Sequence, residues 1–193
     1  AITDHVDIST VESIVPQLVR AAEWENRLDR VLVIPGAEVT HVRPEHMSEV
    51  VSRARAAGAL LVLCHGETLA EPVAPGTNRA AIEAGVDVLA HPGLLTPEEA
   101  ALAAARNVAL EITSKAGHSL TNGYVALLGR RHRARLVFGT DTHLPDQLKT
   151  REEALLILRG AGLSEEEAAM ALEEGSRILS AKDSLHARRD DPL

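Results

Sequence analysis

A chain of 193 residues, 45% hydrophobic and 25% charged, is long enough for one soluble-type domain with a full core. The net charge of −8, with no Lys/Arg cluster among aromatics, argues against a nucleic-acid surface, and no run approaches the roughly 18 apolar residues of a membrane span. The single cysteine, Cys64, excludes an internal disulfide and is compatible with a reducing, cytoplasmic compartment.

Aromatics make up only 2% of the chain, so Ala, Val and Leu must build the core. AITDH opens the chain as a short strand ending at His5. Residues 11–28 read as a helix, with Val11, Ile14, Val15, Leu18, Val19 and Ala22 on one stripe and Pro16 in the early turns. Residues 31–39 (VLVIPGAEV) form a buried-type strand closing on Glu38, and Pro35-Gly36 predicts a bulge or bend that aims this carboxylate. A helix over 44–57 has Pro44 at its first position and Gly58 as its stop.

Residues 59–93 carry the pattern around which the chain is organised. Two apolar runs, ALLVLC and VDVLA, stop at His65 and His91, with a helix over 78–84 between them. This is a strand, a crossover helix and a parallel strand. Thr96-Pro97-Glu98-Glu99 opens a helix to residue 106 with a capping box, and VALEIT (108–113) is a strand leading into the polar loop SKAGHSLTNG. A helix over 122–132 and a strand over 135–139 lead into GTDTH. The basic run RRHRAR (130–135) complements a helix end or lies in solvent. Helices over 146–159 and 165–179, the second with a Ser164/Glu167 capping box, close a single domain spanning 1–180; residues 181–193 read as a charged tail.

Six strands alternating with helices predict a parallel α/β fold, whose active face lies at the strands' carboxyl ends. Those ends carry His5, Glu38, His65, His91, Glu111, Lys115, Asp141 and His143. Asp141 and His143, two apart on extended backbone, point to the same side. The candidate metal ligands are His5, Glu38, His65, His91, Asp141 and His143, a mixed N and O set that suits Zn, Mn or Fe better than Ca. A carboxylate such as Glu38 can bridge two metals, and paired metals activate water and clamp a phosphoryl oxygen.

Lys115 is read as neutralising a substrate phosphate, with His118 and Arg79 as further catalytic and substrate-binding candidates. Asn78 caps a helix or orients a ligand, Glu67 is a supporting partner of His65 or exposed, and His41 supports the site rather than ligating. His46, His132 and His186 are expected in solvent. Cys64 faces away from His65, into the core.

Taken together, ITDH at His5, GAE at Glu38, HGE at His65, AHPG at His91, EIT, GHSLTNG and TDTH at Asp141/His143 resemble the polymerase and histidinol phosphatase (PHP) superfamily, closest to its stand-alone, histidinol-phosphatase-like members. The resemblance covers residues 1 to about 180. It implies a distorted seven-stranded (β/α) barrel, here with about six strands, that holds up to three divalent metals and hydrolyses a small phosphate monoester. The family's opening HxH strand and first helix have no counterpart here. The resemblance therefore implies one metal with a full set of protein ligands (Glu38, His65 and His91), a second held through Glu38 and Asp141, and a third at His5 and His143. A different metal hydrolase on a similar barrel, such as an amidohydrolase, and a non-catalytic metal-binding domain are the rival readings. The partner implied is a small phosphorylated substrate, with no nucleic acid or membrane.

Overall fold

The computed structural model describes residues 1–28 and 31–187. Six parallel strands lie side by side in chain order: β1 (His5–Val6), β2 (Gly36–Val39), β3 (Leu61–His65), β4 (Val88–Ala90), β5 (Ala109–Thr113) and β6 (Leu136–Gly139). Helices α1 (Val11–Asn26), α2 (Met47–Ala56), α3 (Thr77–Ala84), α4 (Pro97–Arg106) and α5 (Asn122–His132) connect them. Two more, α6 (Arg151–Gly160) and α7 (Glu165–Ala187), follow the last strand. The architecture is the expected α/β one, a parallel sheet curled as in a distorted (β/α) barrel.

Strand alternation divides the side chains between two cores. Val39, Val62, Cys64, Leu89, Leu110 and Ile112 face the helices and pack with residues such as Met47, Val50 and Ile82 in the main core. Leu61, Val88, Ala109 and Val137 face the concave side, where Ile178 of α7 packs against them. α7 thus covers part of the inner face, and a fully buried Ile or Leu of this kind contributes roughly 1.5–3 kcal/mol. The register runs His5↔Glu38, Glu38↔Leu63 and Leu63↔Val88, which carries one layer across the sheet. β1 and β6 form the two margins; the strand expected to end at His5 instead begins there, because His5 and Val6 pair with Glu38 and Val39, and the His5 ring lies 5.8 Å from that of His143, beyond β6.

Several boundaries differ from the sequence expectation for local reasons. The strand expected over 31–39 begins only at Gly36. Val31 and Leu32 are exposed, and Pro35, which has no N–H to give, makes an isolated parallel bridge with Ile2. The helix expected from residue 44 opens as a 3-10 turn, Pro44–His46, before α2. The helix expected from 146 begins at Arg151, because Pro145–Gln147 is a separate 3-10 turn and Thr150 caps α6 in a capping box with Glu153. The capping boxes expected at Thr96/Glu99 and Ser164/Glu167 are formed.

α7 continues to Ala187, into the stretch expected as a tail, and residues 188–193 lie outside the described residues. In the basic run, Arg130 pairs with Glu167 at 2.8 Å and Arg135 with Glu174, tying the end of α5 to α7. Among the described residues, no helix is long and apolar enough to cross a membrane.

Cys64 is fully buried with its sulfur 3.8 Å from Met47 Sδ, and burial first, then the charges of Glu38 and Glu67, push its thiol up. A thiolate is the reactive form. Cys64 is therefore expected to resist iodoacetamide in the folded protein and to react fully in denaturant, as read by mass spectrometry; rapid native labelling would contradict this packing.

Candidate metal centre

Three side chains converge at the carboxyl ends of β2, β3 and β4. Glu38 Oε1 lies 3.5 Å from His65 Nδ1 and 3.6 Å from His91 Nε2, and these two nitrogens are 3.0 Å apart. All three residues are buried, and one ligand atom from each falls within 4.8 Å of the others. Glu38 Oε1 is buried with no hydrogen-bond partner among the described residues. An unpartnered buried carboxylate oxygen is costly. Burial pushes the Glu38 carboxyl up, but the neighbouring His65, His91 and His5 outweigh it and hold the group below its ordinary value. Burial likewise lowers the His65 imidazole, while Glu38 and the Glu71 carbonyl more than offset it and leave it raised.

The outer nitrogens of both rings are engaged elsewhere: His65 Nε2 lies 3.1 Å from the Glu71 carbonyl oxygen, and His91 Nδ1 lies 3.1 Å from Glu111 Oε2. Two imidazole nitrogens and a carboxylate oxygen, facing one point with an orphaned oxygen among them, fit a divalent transition metal or zinc.

A second group rims this triad. Lys115 Nζ lies 3.0 Å from the Asp141 carbonyl oxygen, 3.5 Å from Asp141 Oδ2 and 2.7 Å from His143 Nδ1. His143 Nδ1 is also 3.3 Å from Asp141 Oδ1. His118 stacks on His91 with ring centroids 4.3 Å apart, and its Nε2 is 3.7 Å from Asp141 Oδ2. Its Nδ1 is 2.8 Å from the Thr68 hydroxyl. Burial, then His91, lowers the His118 imidazole below its ordinary value. His5 Nε2 is 4.0 Å from Glu38 Oε2 on the other side. Glu38, His91, His5, Asp141 and His143 line a cavity of about 660 Å³ between the sheet margins, whose apolar wall includes Leu61, Leu63, Val88, Val137 and Ile178.

Backbone geometry aims the site. His41, His91 and Asp141, just beyond β2, β4 and β6, have φ of 54°, 31° and 44°. Such left-handed conformations cost of order 1–3 kcal/mol each in a non-glycine residue and collect at functional sites. After His91 the chain turns through Gly93 at φ +65°, where a Cβ would collide with the Glu67 carbonyl. Glu67 accepts the N–H groups of Gly76 and Asn78 through Oε1. Asn78 in turn accepts from Glu67 N–H and donates to the Pro92 carbonyl, so one clamp holds the loops after β3 and β4 together.

Of the residues expected at the site, the structure brings together Glu38, His65 and His91 in one cluster, with His5, Asp141, His143, Lys115 and His118 around it. Arg79 is not among them: it lies on the exposed face of α3, paired with Glu83 at 3.0 Å. His41 stacks on His65 at 5.9 Å and faces Glu71, and Glu67 serves the loop clamp rather than contacting His65. His46 is exposed as expected, whereas His132 is partly buried with Nε2 unpartnered among the described residues, and the His186 side chain lies outside them. Glu71 and Thr68 join the site without a signal of their own in the sequence. They lie in an irregular loop whose sequence has no periodicity, and the preceding HGE motif was the only available pointer.

No protein-family model matches the chain. Among solved structures it resembles an amidohydrolase (TM-score 0.57, 18% identity, 88% of this chain and 47% of that one) and a Xaa-Pro dipeptidase (TM-score 0.56, 18% identity, 92% and 52%). It also resembles an Arabidopsis N6-mAMP deaminase (TM-score 0.50, 16% identity, 94% and 58%). The chain spans about half the length of these structures, and at such identities the likeness is one of fold. The likeness supports the distorted (β/α) barrel expected from the sequence, as a likeness of fold alone and without pointing to the PHP superfamily in particular. In sequence the chain is 40% identical over 169 residues to the uncharacterized protein MJ1295 of Methanocaldococcus jannaschii, covering 86% of this chain and 78% of that protein. The chain belongs to the family of that protein.

Proposed function

We propose that this chain is the metal-binding core of a metal-dependent hydrolase, with Glu38, His65 and His91 holding one divalent ion of the Zn, Mn or Fe class. The observation that carries this reading is the buried, unpartnered Glu38 Oε1 facing the inner nitrogens of two histidines. When bound, the ion supplies Lewis acidity and a water acidified toward neutrality. The chain's own residues supply the rest. His118, whose basicity burial depresses, stacks on His91 and turns Nε2 toward the Asp141 and Glu71 carboxylates, so that this nitrogen carries a proton it can donate. Lys115, positioned by Asp141 and His143, places a positive charge beside these two residues of the cavity wall. The apolar wall of the cavity keeps water from the buried end of a bound molecule.

For the substrate, the amidohydrolase-type reading has the support of the fold neighbours, a named amidohydrolase, a dipeptidase and a deaminase. Under it, the chain's relatives cleave a carbon–nitrogen bond, and His118 passes a proton to the leaving amine. The phosphate monoester reading keeps one observation in its favour, the Lys115 ammonium beside Asp141 and His143, suited to a phosphate oxygen. His5, Asp141 and His143 are proposed as additional ligands once a substrate or a second ion enters. A metal-binding domain without turnover is the remaining reading.

Protein purified without chelator is expected to carry about one tightly held divalent ion per chain. By elemental mass spectrometry, His65→Ala and His91→Ala should lose it; a folded, metal-free wild-type chain would sink the proposal. Metal-loaded protein is then offered N-acyl amino acids, dipeptides and an aryl phosphate. Turnover of the amides supports the first reading and turnover of the phosphate the second. On a phosphate substrate, Lys115→Met should lower kcat/KM by roughly 10²–10³-fold. Metal binding with no turnover on any of them assigns the non-catalytic role.

A further inference from the structure

Glu111 is a polar residue on the strand β5 and stands outside the triad. Its carboxylate is buried on β5, and one oxygen, Oε2, meets a single residue twice: the His91 backbone N–H at 2.8 Å and His91 Nδ1 at 3.1 Å. The other oxygen occupies the space that a side chain on Gly139 of β6 would take, since a Cβ built there collides with Oε1. Neither oxygen is directed at the point that Glu38 Oε1, His65 Nδ1 and His91 Nε2 share.

We propose that Glu111 is the positioning residue of the metal centre, fixing both the backbone and the tautomer of His91, and that Gly139 is small in order to make room for it. This rests on the reading of Glu38, His65 and His91 as metal ligands.

A carboxylate accepts and cannot donate, so the His91 nitrogen it faces must carry the proton. With the proton on Nδ1, the lone pair is on Nε2, the nitrogen 3.6 Å from Glu38 Oε1. The other tautomer would set a lone pair against the carboxylate and an N–H into the triad. The second contact answers a separate need. His91 has φ of 31°, a conformation that a histidine holds only when its surroundings impose it, and Oε2 captures the N–H of that same residue. One oxygen therefore sets the ring's proton and the peptide's turn together. A carboxylate behind a ligating histidine also raises the ligand's basicity, and losing such a partner typically costs 10–100-fold in metal affinity.

The test measures Zn²⁺ and Mn²⁺ affinity by competition with a chromophoric chelator, for wild type, Glu111→Gln, Glu111→Ala and Gly139→Ala. Thermal unfolding of each metal-free protein serves as the folding control. Glu111→Ala is expected to bind roughly 10–100-fold more weakly. Glu111→Gln, which keeps an acceptor without the charge, should fall between it and wild type, and Gly139→Ala should weaken binding by displacing the carboxylate without altering any proposed ligand. Folded variants that bind as tightly as wild type would overturn the proposal. Should Glu111→Ala fail to fold, the Gln variant and Gly139→Ala decide.

A readout without metal comes from long-range ¹⁵N–¹H correlation spectra of the histidine rings at a pH where they are neutral. His91 should carry its proton on Nδ1 in wild type, and the Nε2–H tautomer there would also overturn the proposal. A wild-type chain that binds no metal but shows the Nδ1–H tautomer separates failure of the metal reading from failure of the Glu111 assignment.

Discussion

A carboxylate charge buried where water cannot reach it must be compensated, and Glu38 is that charge here. The compensation comes from neighbouring strands. Glu38 sits beside Leu63 in the β2–β3 register, and His65 lies two residues further along β3, on the same face. His65 is in turn level with Ala90 of β4, so that His91 emerges one step beyond. Because the strands run parallel, all three leave the sheet from the same end, and an antiparallel neighbour would have carried its histidine to the opposite end. The centre is a consequence of strand direction and register before it is a matter of which residues are present.

The turns that follow β2, β4 and β6 cost energy, and the fold repays it locally with hydrogen bonds. His91 adopts a left-handed backbone held by Glu111, and the loop after it passes so close to the Glu67 carbonyl that only glycine fits at residue 93. Glu67 and Asn78 then join that loop to the start of α3. The HGE, GTN and AHPG stretches are therefore one mechanical unit, in which some of the polar residues serve the backbone and leave others free to face the centre. A carboxylate next to a histidine in sequence, as Glu67 is to His65, need not be its partner in space.

The concave face of the sheet is finished by α7, whose Ile178 closes over Leu61, Val88, Ala109 and Val137. The cavity above this plug lies between apolar walls and a rim of His5, Asp141 and His143. This arrangement links the packing at the carboxyl-terminal helix to the space available to a bound molecule, although α7 contributes none of the triad.

The amino-acid sequence by itself determined the alternation of short apolar runs with amphipathic segments, the succession of six strands, the two capping boxes at Thr96 and Ser164, and the outward turn of Cys64. It also placed Glu38, His65 and His91 where apolar runs stop. Periods of two and 3.6 residues are local properties, written in neighbouring positions. The tertiary structure alone decided which polar residues meet. Arg79 shares a stretch with the site but lies on the outer face of α3, while Glu71, from a loop without periodicity, reaches His41, His65 and His118. Glu111 and Gly139 are 28 residues apart and become partners only because β5 and β6 pair in a particular register. That register depends on the packing of both sheet faces at once, a sum over distant contacts that no short stretch of sequence contains.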